Sequence, residues 1–172
     1  LNKARGLESM IKAMTKLDLK LKLAGDGDIK EELIQLVREL NLDDKVDFLG
    51  KIEPKDLKEI TRNAFIGVNL LENVSLNYYY SLANKFFDYI HAEIPQVCMN
   101  FPEYKILNKE NEVAVLVKNL DDAAIVNAFK KLDNENYYKE LKANCKPMKK
   151  IYNWQNEEAR LLSVYHKLKS PE

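Results

Sequence analysis

The stretch FIGVNLLENVSLNYYYSLANKFFDYIHAEIPQVCMN, from Phe65 to Asn100, decides the fold. Its apolar periodicity changes twice. FIGVNLL, Phe65 to Leu71, is a near-continuous apolar run of the kind found in a strand covered on both faces. From Asn77 to Pro95 the spacing becomes helical, and Leu82, Phe86, Tyr89 and Ile90 gather on a face wide enough to pack on a core. PQVCMN, from Pro95, returns to a short strand. Buried strand, helix and buried strand together make the repeating unit of a parallel sheet sandwiched by helices.

The same alternation runs outward in both directions. Leu7, Met10, Ile11, Met14 and Leu17 form a helical stripe within Gly6–Leu17. LKLKLAG, ending at Gly25, alternates strictly, with Leu19, Leu21 and Leu23 opposite lysines, and reads as a strand. Asp28 is expected to cap a helix carrying Ile29, Leu33, Leu36, Val37 and Leu40. VDFLG (Val46–Gly50) is a strand, and Pro54 opens the helix PKDLKEITRNA. Downstream, the pattern predicts a short helix at Tyr104–Asn108 and a strand VAVLV from Val113. Helices are predicted at Asp121–Leu132, Glu135–Lys150 and Asn156–Lys169. No repeat or Pro/Gly-rich linker divides the chain. The expected class is α/β, a Rossmann-like parallel sheet flanked by helices, as one domain over residues 1–172.

Composition narrows the function. With 27 basic and 27 acidic residues, the chain lacks the basic excess that nucleic-acid binding normally demands. No apolar run approaches the roughly 18 to 20 residues of a membrane span, and LNKARGLESM carries no signal-like apolar segment. Cys98 and Cys145 form no CxxC pair and read as reduced thiols of a cytoplasmic protein. His91 and His166 are too few for a histidine-rich zinc centre, so no metal site is expected. Helical patterning begins almost at Leu1, without a strand before it, which suggests a fragment excised from a longer chain.

Ligands of an open parallel sheet bind beyond the carboxyl ends of the strands. Three turns there carry suitable residues. Gly25-Asp26-Gly27 can bring backbone close to an anion at a helix start, although a plain turn is the alternative because the full GxGxxG is absent. Gly50-Lys51-Ile52 could offer backbone amide and carbonyl to the edge of a base, or simply end a strand. The third is the helix within Asn77–Pro95. At about 100° per residue, Ser81, Lys85 and Asp88 fall within about 60° of one another. With Ser81 as N-cap, the amides from Leu82 onward, the helix dipole and Lys85 would favour a diphosphate, and Asp88 could accept from vicinal hydroxyls. The competing reading is an i, i+3 Lys85–Asp88 ion pair on a solvated helix. Arg5, just before a helix N-terminus, is disfavoured by the dipole unless an anion binds there; a frayed terminus is its alternative.

Taken in order, the blocks RGLESMIKAM, LKLAGDGDIKEEL, LNLDDKVDFLGKIEPKDL, NYYYSLANKFFDYIHAEIP and IYNWQNEEARLLSVYHKL resemble the C-terminal domain of GT-B glycosyltransferases, in the group called glycosyltransferase family 4. The resemblance covers nearly the whole chain. It implies one half of a GT-B fold, the half that holds a nucleotide diphosphate sugar. The N-terminal acceptor domain, and even the first strand of this half, would lie upstream. It implies Asp88 at the ribose hydroxyls, Arg5 at the donor diphosphate, Lys85 with Ser81 and Asn84 in a variant motif, and Gly50–Ile52 at the base. Tyr152 and Trp154 match the aromatic entry to a final helix that crosses back toward the acceptor domain. It departs from the family at Tyr80, where the first of two glutamates would stand, at Glu93 in place of a glycine, and at Gln96 in place of an apolar residue.

The implied activity is transfer of a sugar, with retention and without an essential metal or cofactor, to a polysaccharide or cell-envelope acceptor. The protein would be cytoplasmic or peripheral at the membrane, with any membrane contact made through the upstream half. The rival readings are a GT-B-fold sugar-nucleotide epimerase and a non-catalytic α/β interaction module with Tyr78–Tyr80 and the final helix as its surface. A phospho-receiver-like domain is disfavoured by the lack of an early acidic cluster.

Overall fold

A computed structural model describes residues 1–169. Five parallel strands alternate with helices, as the periodicity predicts. Strand β1 (Leu21–Ala24) pairs with β2 (Val46–Gly50); β3 (Gly67–Asn69), β4 (Gln96–Met99) and β5 (Ala114–Val117) form a second parallel group in that order. Helix α1 (Leu7–Met14) packs on α2 (Lys30–Glu39) and on α7 (Asp122–Lys131). A second row joins α3 (Pro54–Arg62), α5 (Asn84–Ala92) and α8 (Glu135–Ile151). Short α4 (Leu76–Tyr79), α6 (Pro102–Glu110) and α9 (Trp154–Lys169) complete the described elements.

Burial follows the sequence pattern where the pattern is strong. Leu21 and Leu23 of β1 are buried while Lys22 between them is exposed, and all four residues of β4 are buried. Met10, Ile11 and Met14 of α1 join Val97, Val115, Ile125 and Phe129 in one hydrophobic cluster. At roughly 1.5–3 kcal/mol per fully buried large aliphatic or aromatic side chain, this cluster is the main source of stability.

Three expectations change. The helix within Asn77–Pro95 is two helices: α4 ends at Tyr79, and α5 does not begin until Asn84 with Ala83 at its N-cap. Ser81 therefore does not cap α5. Its hydroxyl donates to the Tyr78 carbonyl at 2.8 Å, closing off α4 instead. The reason lies in Tyr104, whose hydroxyl accepts the Ala83 amide at 2.9 Å and whose ring packs on Phe86 at 5.3 Å. A side chain distant in sequence thus fixes where α5 starts. Secondly, α2 starts after Ile29, and Asp28 makes no cap hydrogen bond. Thirdly, α6 runs from Pro102 to Glu110 rather than Tyr104 to Asn108, because Pro102 supplies the fixed φ of a first turn.

Buried Asn108 ends that connection. Its Oδ1 accepts from the amides of Val113 and Ala114, both at 2.9 Å, and its Nδ2 donates to the Ala114 carbonyl at 3.0 Å. Gln96 is also buried; its amide donates to the Phe86 carbonyl at 3.1 Å and ties β4 under α5.

Candidate functional site

The strand carboxyl ends are bridged by the first six residues. The Ile29 amide donates to the Leu1 carbonyl at 3.2 Å, and the Leu1 amino group meets the Asp26 carbonyl. At the far side, the Glu72 amide donates to the Ala4 carbonyl at 3.1 Å. Gly6 lies so close to Leu70 that an added Cβ would sit 2.8 Å from the Leu70 Cβ. Ala4 and Gly6 both have positive φ, 62° and 63°, so Arg5 is held at the apex of a left-handed turn. Such a conformation costs a non-glycine residue about 1–2 kcal/mol, and it lifts Arg5 over the Tyr78 ring, 5.3 Å from its centroid.

Helix α5 brings the second cation. Gly67 lets α5 lie directly on β3, since a Cβ there would run into the Tyr89 ring, and the Tyr89 hydroxyl donates to the Val68 carbonyl at 3.1 Å. That anchor places Lys85, one turn earlier, in the lining of a cavity of about 900 Å³ with Arg5, Gly25, Asp26 and Asp88. Lys85 is exposed to solvent along the lining of that concavity. Burial first, and the Arg5 charge second, hold its pKa below the ordinary lysine value. Among the described residues neither Arg5 nor Lys85 forms an ion pair, so the Lys85–Asp88 bridge expected on a solvated helix is absent. Two cations line this cavity, and neither is ion-paired with the carboxylates that share it, Asp26 and Asp88 among them.

The two glycine turns meet beside them. The Gly25 amide donates to the Gly50 carbonyl at 2.6 Å. The Gly27 amide on the Asp26 carboxylate, then Lys30 and Lys51, hold the Asp26 pKa below the usual carboxylate range. An added Cβ at Gly50 would meet open space, whereas Gly27 is covered by Leu1 and Asn2. Of the residues singled out from sequence, Arg5, Gly25, Lys85 and Asp88 share one cavity. Gly50 and Lys51 border it through Gly25 and Asp26. Gly27, Ile52, Ser81 and Leu82 are not among its lining residues. Sequence reasoning missed Tyr78 beneath Arg5, Tyr89 and Tyr104. The NYYY run hints at the first, while nothing in sequence marks Tyr104 as the residue that sets the start of α5. Among the described residues, no group of three or more His, Cys, Asp or Glu side chains is arranged to hold a metal ion.

A two-cation cleft at the carboxyl edge of a parallel sheet narrows the comparison with known proteins. Residues 1–150 match the model of the family described as "Glycosyl transferases group 1". The chain belongs to that family. The solved structures add agreement in fold. Sucrose-phosphate synthase from Thermosynechococcus elongatus superposes with a TM-score of 0.84 at 21% identity, over 97% of this chain and 43% of that one. HepE from Anabaena, in complex with UDP and glucose, gives a TM-score of 0.78 at 15% identity, over 95% of this chain and 46% of that one. A C-terminal domain of a glycosyl transferase group 1 protein from Francisella tularensis gives 0.66 at 18%, covering 84% and 77%. Among curated proteins, a Campylobacter jejuni N-acetylgalactosaminyltransferase acting on a diphospho-undecaprenol substrate is 44% identical over 52 residues, 29% of this chain and 14% of that one. The chain thus spans less than half the length of the first two solved relatives and a small part of the curated one. Within this glycosyl transferases group 1 chain, the half of a GT-B fold implied by the sequence is the one observed.

Proposed function

We propose that this chain is the donor-binding part of a glycosyltransferase that takes its sugar from a nucleotide diphosphate sugar. One observation carries the reading: Arg5 and Lys85 line one cavity at the strand carboxyl ends, and neither forms an ion pair among the described residues. Two unpaired cations on one cavity of an electroneutral chain suit it to receive an anion. The diphosphate fills that role, with the Asn84 and Lys85 amides at the start of α5 beside it. Asp88, one turn further and without an ion-pair partner among the described residues, accepts from the ribose hydroxyls. The open backbone at Gly50–Ile52 is left for the base.

In the transfer step, Arg5, Lys85 and those amides stabilise the charge that develops on the departing diphosphate. The sugar passes with retention to a polysaccharide or cell-envelope acceptor held by an upstream domain, where any contact with a membrane surface would also be made. Among the described residues no helix is long and apolar enough to cross a membrane. Neither the epimerase nor the non-catalytic module is favoured by the family match. Calorimetric titration with UDP, GDP and ADP tests the reading. Binding of one diphosphate that weakens in Asp88→Ala supports it, and absence of binding by all three overturns it. Sugar transfer by the whole protein from the matching donor tests the reaction.

A further inference from the structure

The connection between α4 and α5 breaks against its own sequence. Leucine and alanine are among the strongest helix formers, yet residues 81–83, Leu82 and Ala83 among them, are not helical. Ala83 is extended, with φ −74° and ψ 141°, and its methyl group cannot cap the helix that follows. Ser81 closes α4 through the Tyr78 carbonyl, but the Ala83 amide is satisfied from elsewhere, by the Tyr104 hydroxyl at 2.9 Å.

Tyr104 is held firmly enough to act as a fixed point. It is fully buried, with its ring 5.3 Å from that of Phe86 and 6.5 Å from that of Phe101. Phe101, buried just after β4, precedes the Pro102 that opens α6. One turn beyond Tyr104, Asn108 is tied to the start of β5 by three hydrogen bonds. Helix α6 is thus fastened to the sheet at both ends, and it presents the hydroxyl to Ala83 from there.

The consequence lies in which amides α5 leaves free. At its start the Ala83 amide is taken by Tyr104, and the Phe86 amide turns back to the Ala83 carbonyl at 3.0 Å. The Asn84 and Lys85 amides remain. A helix continued through residues 80–83 would spend these two on the carbonyls of Tyr80 and Ser81, four residues back. Lys85 and Asp88 line the cavity whereas Tyr104 does not, so Tyr104 reaches the site only through α5. We propose that Tyr104 is a positioning residue for the anion site: by holding Ala83 extended, it keeps the Asn84 and Lys85 amides free for the diphosphate, a role that rests on the donor reading above for its ligand.

Titration of the whole protein with UDP, GDP or ADP and with the matching nucleoside tests this role. Tyr104→Phe keeps the ring and removes the hydroxyl. It should weaken diphosphate binding at least about tenfold, as for one charge-assisted hydrogen bond, and leave nucleoside binding unchanged. Adding Ala83→Pro should restore diphosphate affinity, because proline has no amide proton to satisfy, suits the observed φ and disfavours helix at Leu82. Unchanged diphosphate affinity in Tyr104→Phe, an equal loss for the nucleoside, or a double variant no better than the single one overturns the proposal. If the wild type binds none of the three diphosphates the donor reading fails, and amide exchange in the free protein decides the role of Tyr104 by itself. There Tyr104→Phe should slow exchange at Asn84 and Lys85 at least about tenfold; unchanged exchange at both overturns it.

Discussion

Replacing Lys85 by methionine separates an anion site from a structural lysine, because the two readings predict opposite signs. Methionine keeps the length of the stem and removes the charge. In the free protein Lys85 faces Arg5 without an ion-pair partner, and burial already disfavours its charged form. Removing the charge therefore relieves repulsion, and the melting temperature should stay level or rise. A lysine held in a partly buried pair would instead lose stability on substitution. With a diphosphate bound, the same change removes a charge-assisted hydrogen bond worth about 1.5–3 kcal/mol. That is about a 10- to 150-fold loss of affinity at about 1.4 kcal/mol per decade. Calorimetry with the nucleoside diphosphate and thermal denaturation without it, on wild type and Lys85→Met, give both numbers. A melting temperature lowered by several degrees together with unchanged affinity would refute the reasoning.

Other outcomes follow from individual residues. Because the Lys85 pKa is lowered in the free protein, nucleotide affinity should fall as pH rises through the alkaline range below the usual lysine value, and Lys85→Met should remove that fall. Gly6→Ala should destabilise by about 1–3 kcal/mol, since a Cβ would meet Leu70 at 2.8 Å in a backbone with φ of 63°; urea denaturation measures it. Asn108→Ala removes three buried hydrogen bonds and should cost about 3 kcal/mol at about 1 kcal/mol each. Glu93→Gly exchanges a left-handed residue, φ 59°, for the glycine that suits it, gaining about 1 kcal/mol, against a half-buried Lys149 pair at 3.0 Å worth about 1 kcal/mol or less. Lys149 lowers the folded-state Glu93 pKa, so the pair stabilises above the unfolded pKa and is lost as pH falls through the folded one. The advantage of Glu93→Gly should accordingly grow in acid, as melting curves across that range would reveal.

Much of the fold was legible because burial imposes a period. The alternation at Leu21–Leu23, the buried run of β4 and the stripe through Met10, Ile11 and Met14 each place one face on the core, and each element formed as its period predicts. What the sequence hid was non-local. The break between α4 and α5 depends on the Tyr104 hydroxyl reaching the Ala83 amide across 21 residues, which no helical wheel contains. The wheel still put Lys85 and Asp88 on one side correctly, since both follow the true start of α5, while Ser81 precedes it and drops out. The departure at Glu93 was also readable: the helix ends in the left-handed conformation a glycine would favour, and Lys149 sits beside the glutamate. Arg5 was suggested by its place before a helix, but its turn required Leu70 and Glu72, some 65 residues away.

The most direct test of the cationic cleft is a paired titration of the whole protein with a nucleoside diphosphate and with the corresponding nucleoside. Two cations and free helix amides directed at the diphosphate should make it bind at least 100-fold more tightly, about 2.8 kcal/mol, with most of that difference lost in the double variant Arg5→Ala, Lys85→Met. Equal affinity for nucleoside and diphosphate, or a difference that survives the double variant, would contradict the assignment of Arg5 and Lys85 to the donor.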